Sequence, residues 1–365
     1  MRRPPTAHTR VSYPYVTGMS KPQTTKKNHY VPRSYLKRWA GADGTIWTYR
    51  ILVSSSKVPL WRKSTPSGIA YHQHLYTRIA EGAATDEVER WLDKEFENPA
   101  GPVLDRALAQ KKLTPNDWST LVRYMACQDV RTPARLLESL KHQEETTQRM
   151  MQGALEKVKE KLVQESGSLG EESRANFPGS ELLPLNISIR DAPESDGVQV
   201  EVRTTTGRAT WLFGIKYVLQ HSRSIEALRG HRWTILRAPH GFSWCTSDNP
   251  VIRLNAYSDG HYDFKGGWGS DGTQIIFPLN PRSIMYARIG ERPPLRGTVV
   301  SPDFAHWVQR CILEHAHRYV FCQNKCAPVT QIRPRTEDAS GFSHEQAQWL
   351  HWHKKNVEAE SSLQS

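Results

Sequence analysis

A chain of 365 residues, 38% of them hydrophobic, has enough material for one large domain or two medium ones around a substantial core. No stretch reaches the roughly 18 consecutive apolar residues that a membrane-spanning helix needs, and five scattered cysteines, Cys127, Cys245, Cys311, Cys322 and Cys326, point to free thiols in a reducing cytoplasm rather than to a disulfide framework. The net charge of +12 resides wholly in residues 1 to 63, where thirteen Lys or Arg face a single acid, Asp43; this asymmetry points to RNA or another polyanion as partner, or to a solubilising arm.

Residues 1 to 25 are basic and lack the apolar stretch of a secretory signal, so a disordered leader is expected there. "NHYV" then reads as extended, and "PRSYLKRWA" as a short helix opened by Pro32. "TIWTYRIL" and "IAYHQHLYT" alternate as strands do. "TDEVERWLDKEF" places acids in a first helical turn, and Asn98, Pro99, Gly101 and Pro102 are expected to interrupt that helix before "VLDRALAQKK". Thr114 and Pro115 open a long helix that a charged stretch extends to about Gln164.

Residues 171 to 201 hold seven acids against two arginines, and 165 to 197 are rich in Gly, Ser, Glu and Pro, which suits a surface insertion. "VQVEVRT" is a strand candidate, and "TWLFGIKYVLQHSRSIEALRG" an apolar helix closed by Gly230. Short strands follow at "HRWTILRA", "FSWCTS", "VIRLNA", "QIIFPL" and "SIMYARI". Ser301, Pro302 and Asp303 start a helix, "RYVFC" reads as a last strand, and Ser343 with Gln346 forms a capping box for a terminal helix. The order of elements predicts an α+β fold, a helical half packed on a mostly antiparallel sheet. Its expected organisation is a leader (1 to 25), a single domain (26 to 330) with a helical and acidic insertion around 141 to 200, and a carboxy-terminal helix and tail (331 to 365).

Three polar constellations stand in apolar settings. On the long helix the apolar stripe Trp118, Leu121, Val122, Met125 should pass near positions 128 and 132, where Gln128, Thr132 and Pro133 sit with Arg131 one turn on from Gln128. Buried polar groups are costly unless paired, so they mark either a structural network or a site. "CTSDNPV" puts Asp248 and Asn249 on a turn between strands, where Asp248 could act as a base, bind a metal or accept from Arg131, or where Asp248 and Asn249 could close an Asx-turn on their own backbone. "KKNHYVPRSYLKRW" offers His29 as acid or base and Arg33 as a phosphate clamp; Tyr30, Tyr35 and Trp39 could stack on bases or simply pack. Of three His-x-His pairs, only His72/His74 lies on an expected strand, and no third ligand is placed by local spacing, so neither a metal nor another cofactor is expected. Walker A, Rossmann, HExxH and GxSxG signatures are absent, and "GGWGSDG" joins two expected strands.

The series "NHYVPRSYLKRWA", "DGTIWTYR", "ACQDVRTPAR", "TSDNPV" and "FPLNPRS", in that order over residues 27 to 325, resembles domain-of-unknown-function family 4238. The resemblance implies one large domain carrying the same three constellations, and it carries over no activity. "HQHLYT" departs from the acidic-aromatic segment usual in that family, which weakens the metal reading further.

Two functions are expected of these residues. In the first, the segments line a polar cleft for metal-independent cleavage of RNA, whose 2′-hydroxyl supplies an internal nucleophile. His29, Arg131 and Asp248 would be catalytic, and Tyr30, Arg33, Gln128 and Asn249 would bind. In the second, the same residues form a buried hydrogen-bond network in a non-catalytic binding or structural module. A catalytic site must be open to water; a staple must be closed.

Overall fold

A computed structural model describes residues 26–80, 83–164, 185–192, 197–221, 223–257 and 261–363; the expected leader and much of the acidic insertion lie outside them. The chain begins with β1 (Lys27–His29) and α1 (Arg33–Leu36), which continues as one 3-10 turn to Trp39. Then come β2 (Ile46–Arg50), β3 (Leu52–Val53), β4 (Trp61–Ser64), β5 (Tyr71–Gln73), β6 (Arg78–Ala80) and β7 (Ala83–Thr85).

Helices α2 (Glu87–Leu92) and α3 (Asn98–Leu108) are not separated by a break, contrary to the expectation from Asn98, Pro99 and Pro102. One π turn, Asp93–Glu97, joins them, and the Asn98 amide donates to Asp93 five residues back. Proline lacks an amide hydrogen and crowds the carbonyl four residues earlier; widening the preceding turn absorbs both effects. Helix α4 (Pro115–Val130) has Thr114 and Asp117 as a reciprocal capping box. Arg131 leaves helical geometry (φ −96°, ψ 0°), and α5 (Pro133–Gln164) restarts at Pro133.

The insertion holds a hairpin, β8 (Leu185–Ala192) and β9 (Gly197–Thr204), of which only β9 was legible as a strand. Helices α6 (Arg208–His221) and α7 (Arg223–Gly230) precede β10 (Thr234–Arg237), β11 (Thr246–Ser247), β12 (Ile252–Ala256), β13 (Tyr262–Asp263), β14 (Gln274–Asn280) and β15 (Ser283–Arg288). Helix α8 (Pro302–His315), β16 (Tyr319–Cys322), α9 (Pro328–Ile332), β17 (Thr336–Glu337) and α10 (Ala339–Ser362) complete the fold. The fold is α+β, as expected.

An antiparallel five-stranded sheet, ordered β10-β15-β14-β12-β13, is buried on both faces. Ile275, Phe277 and Met285 point into a core shared with α3, α4, α6 and α7; Ile276, Ile284 and Leu254 point into a second core under α8. Double burial explains why "QIIFPL" is continuously apolar rather than alternating. A second antiparallel sheet, β11-β16-β2-β4, closes the side of the second core. Its register opposes Thr246 to Phe321, which brings Cys245 opposite Cys322. These two are joined as a disulfide with Cα atoms 4.6 Å apart, which corrects the expectation of five free thiols. Among the described residues no helix is long and apolar enough to cross a membrane.

Candidate functional site

The three constellations do meet, through backbone rather than around a hollow. On β1, alternation turns Asn28 inward and Lys27 and His29 outward. Asn28 donates to the Glu89 carboxylate and accepts from the Tyr76 amide at 3.1 Å, fixing β1 to α2 and to the segment after β5. Arg131 then reaches β1 from the end of α4: its Nη2 donates to the His29 carbonyl at 2.6 Å, Nη1 to Glu97, and Nε to the Tyr76 hydroxyl at 3.3 Å. That hydroxyl donates back to the Arg131 carbonyl at 2.8 Å, capping the helix whose end carries the guanidinium. Arg131 is 1% exposed. A guanidinium this deep is tolerated because a carboxylate and two oxygens surround it; removing its charge or partners would be costly.

The third segment joins one residue later, where the Thr132 hydroxyl donates to Asn249 Oδ1 at 3.2 Å. Asp248, 2% exposed, accepts from the amides of His317 (2.9 Å) and Arg318 (2.7 Å), and so holds the turn between α8 and β16. Burial outweighs these hydrogen bonds and pushes its carboxyl up to about 6. The expected Asx-turn is not made by Asp248, and no Asp248–Arg131 pair forms: the donors of one and the acceptors of the other have the partners just named. Asn249 turns to α8 instead, and its carbonyl is 3.0 Å from His315 Nδ1.

A small cavity of about 40 Å³ lies beside Asp248, lined by Tyr30, His72, His317 and Tyr319 and, from α10, by Phe342, Glu345 and Trp349. It has room for a few waters, far short of the several hundred Å³ that a nucleotide requires. Neither His29 nor Arg131 lines it.

A profile for the family described as "Protein of unknown function (DUF4238)" matches residues 27–326. The chain belongs to the DUF4238 family. No curated protein and no solved structure matches it.

The DUF4238 segments thus separate into an enclosed part and an outward part. Tyr30, Tyr35 and Trp39 are enclosed, which corrects their expected use as stacking faces. Tyr35 donates to the Pro278 carbonyl of β14 at 2.7 Å and its hydroxyl lies 2.8 Å from the Thr246 hydroxyl of β11, so α1 is pinned to both sheets; the Trp39 indole donates to the Trp244 carbonyl at 3.1 Å. Gln128 is wholly buried, yet neither of its amide atoms has a partner among the described residues; it belongs to no network. The outward part is His29, half-buried, with its ring 5.6 Å from that of Tyr71, Lys27 lying 4.9 Å over Tyr71, and exposed Arg33 nearby. Burial lowers the His29 pKa, and Arg33 and Arg131 lower it further.

The two histidines of the His72/His74 pair both face α10. His72 stacks on Trp349 (4.0 Å) and His74 on His353 (3.9 Å), positions one turn apart on the helix. Among the described residues no group of three or more His, Cys, Asp or Glu could hold a metal ion.

Sequence reasoning missed Arg208 and Glu360, a wholly buried pair that docks α10. Arg208 Nε and Nη2 meet the two Glu360 oxygens at 2.9 and 3.0 Å, and the second oxygen also accepts from the Ile79 amide at 2.8 Å. The helix itself begins at Asp338, which caps Gly341, rather than at the expected box of Ser343 and Gln346. The signal available was Asn356 and Glu360, one turn apart on the stripe that also carries Trp349, Trp352 and His353.

Proposed function

We propose that this chain is a non-catalytic nucleic-acid-binding protein, in which the buried network of Asn28, Arg131, Thr132, Asp248 and Asn249 holds β1 and α1 rigid. Lys26, Lys27, His29, Arg33 and Tyr71 then form a basic, aromatic face for single-stranded RNA. One contrast carries the proposal. Arg131 and Asp248 are enclosed with their polar atoms engaged. Lys26, Lys27 and Arg33, by contrast, are exposed and have no carboxylate partner among the described residues.

A general base and an anion stabiliser must reach the same phosphate, so enclosure of Arg131 and Asp248 favours the binding module over phosphodiester cleavage. Cations on an exposed face displace counterions from a phosphate backbone, and flat rings beside them stack on bases of any sequence. The +12 charge of residues 1 to 63 adds a steering field on the same side of the sequence.

Fluorescence anisotropy of labelled single-stranded RNA, titrated with full-length protein at several salt concentrations, tests the proposal. Binding should weaken steeply with salt. Lys27→Glu combined with Arg33→Glu should flatten the log-log salt slope by about 1.4 or more, since each phosphate contact contributes about 0.7 for single strands. Salt-independent binding, or a double variant that binds as tightly as wild type, would overturn it. RNA cleavage that survives chelator and is abolished in His29→Ala would return the residues to a catalytic role.

A further inference from the structure

A second concavity, of about 180 Å³, lies between the end of α3 and the β10–β15 edge, and is lined by Ala107, Leu108, Gln110, Ile235, Arg237, Ser283, Arg296 and Gly297. Its lining contains two arginines and no acid. Arg237 and Ser283 are cross-strand partners in the β10–β15 register, so their side chains leave the sheet on the same face. No side-chain partner of Arg237 occurs among the described residues, whereas most arginines of the domain are engaged by carboxylates or carbonyls. Arg296 donates from Nη1 to the Lys111 carbonyl (2.8 Å) and from Nη2 to the Ala107 carbonyl (2.9 Å). It therefore neutralises the negative end of α3, which would otherwise repel an anion from this cavity. Beside the arginines, Leu108, Ala107 and Ile235 supply the apolar part of the lining.

We infer that this cavity binds a small phosphomonoester, with its phosphoryl group on Arg237, Ser283 and Arg296 and a short carbon chain against Leu108 and Ile235. With no carboxylate in the lining, the free Arg237 guanidinium, the Ser283 hydroxyl and the remaining N–H groups of Arg296 offer more donors than a planar carboxylate can use and suit the three oxygens of a phosphoryl head. The volume admits a phosphoryl group and a few carbons and excludes a nucleoside. Burial alone lowers the Arg296 pKa, the direction expected of a cation in a recess that an anion would relieve. Gly297 (φ +86°) provides the left-handed turn that brings Arg296 over the helix end.

Isothermal titration of the full-length protein with propyl phosphate, inorganic phosphate and butyrate tests this. Propyl phosphate should bind saturably, tighter than inorganic phosphate, which lacks the alkyl contact, and tighter than butyrate, which lacks the second charge. Arg237→Gln should weaken propyl phosphate by about tenfold or more, as expected for losing charge-assisted hydrogen bonds. Because the Arg237 side chain has no partner among the described residues, the melting temperature of ligand-free Arg237→Gln should match wild type. The Lys27→Glu/Arg33→Glu variant should keep propyl phosphate binding, which separates this site from the RNA-binding face. Absence of saturable binding, or an Arg237→Gln variant that binds like wild type, would overturn the inference.

Discussion

Helix α10 is held by a charge pair, Arg208 and Glu360, too deeply buried for water to soften its loss. Arg208→Met would remove the guanidinium and leave Glu360 buried with, among the described residues, the Ile79 amide as its one remaining donor. It would also strand the His74 carbonyl and His353 Nδ1, which lie 3.2 and 2.9 Å from Arg208 Nη1. Breaking one side of a buried pair costs about 3–5 kcal/mol, most of it the uncompensated charge. At about 2.1 cal/mol/K of unfolding entropy per residue, the 365 residues convert that loss to a fall in melting temperature of about 4–7 °C. Calorimetry on Arg208→Met, Glu360→Met and the double variant separates charge from packing. The double variant removes both charges and should be more stable than Arg208→Met alone, since an apolar replacement of a buried pair is often neutral. A single variant within about 1 °C of wild type, or a double variant whose loss is the sum of the singles, would refute this account of α10.

Gln128→Met replaces a buried amide lacking partners with an isosteric apolar chain and should raise stability by about 1 kcal/mol in denaturant unfolding. The disulfide spans a sequence separation of 77; Cys322→Ser should cost about 2–4 kcal/mol under oxidising conditions and nothing extra under reductant, with non-reducing peptide mapping as the check on the bond itself. Acid should destabilise the fold. Burial holds His72 and His315 at about 4 and His317 at about 3, so the stability they contribute is present above their unfolded value of about 6.5 and falls as pH drops toward the folded values. Asp248 and Glu89, raised to about 6 and about 7, act in the opposite sense, gaining as pH falls through those values. The three histidine shifts are together the larger, so the melting temperature should fall between pH 7 and pH 5; a rise would reverse the assignment.

How much of this was legible depended on whether the cause was local. Thr114, Pro115 and Asp117 cap α4 with atoms three residues apart, and the sequence displays them directly. Four strands of the five-stranded sheet, β10, β12, β14 and β15, were equally visible, because turn residues bound each apolar run, whereas the two-residue β13 was not. The polar break on the α4 stripe at Arg131 correctly flagged a point where distant segments meet. Its meaning was not legible: the partner is the His29 backbone carbonyl, 102 residues away, and backbone atoms leave no signature in a sequence. Asp248 is the same case, since its acceptors serve the amides of 317 and 318. The disulfide needed a register that only the folded sheet supplies. Tyr30, Tyr35 and Trp39 looked like stacking surfaces because their neighbours are basic; helical and strand alternation sent the rings inward and the charges out.

The most direct test of the staple is the equilibrium denaturation curve of Arg131→Met. If Arg131 holds β1 to α4 as described, the midpoint falls with a loss of about 3–5 kcal/mol, and the protein that remains folded still binds single-stranded RNA. An unchanged midpoint accompanied by lost RNA binding or turnover would contradict the structural assignment and place Arg131 at the ligand.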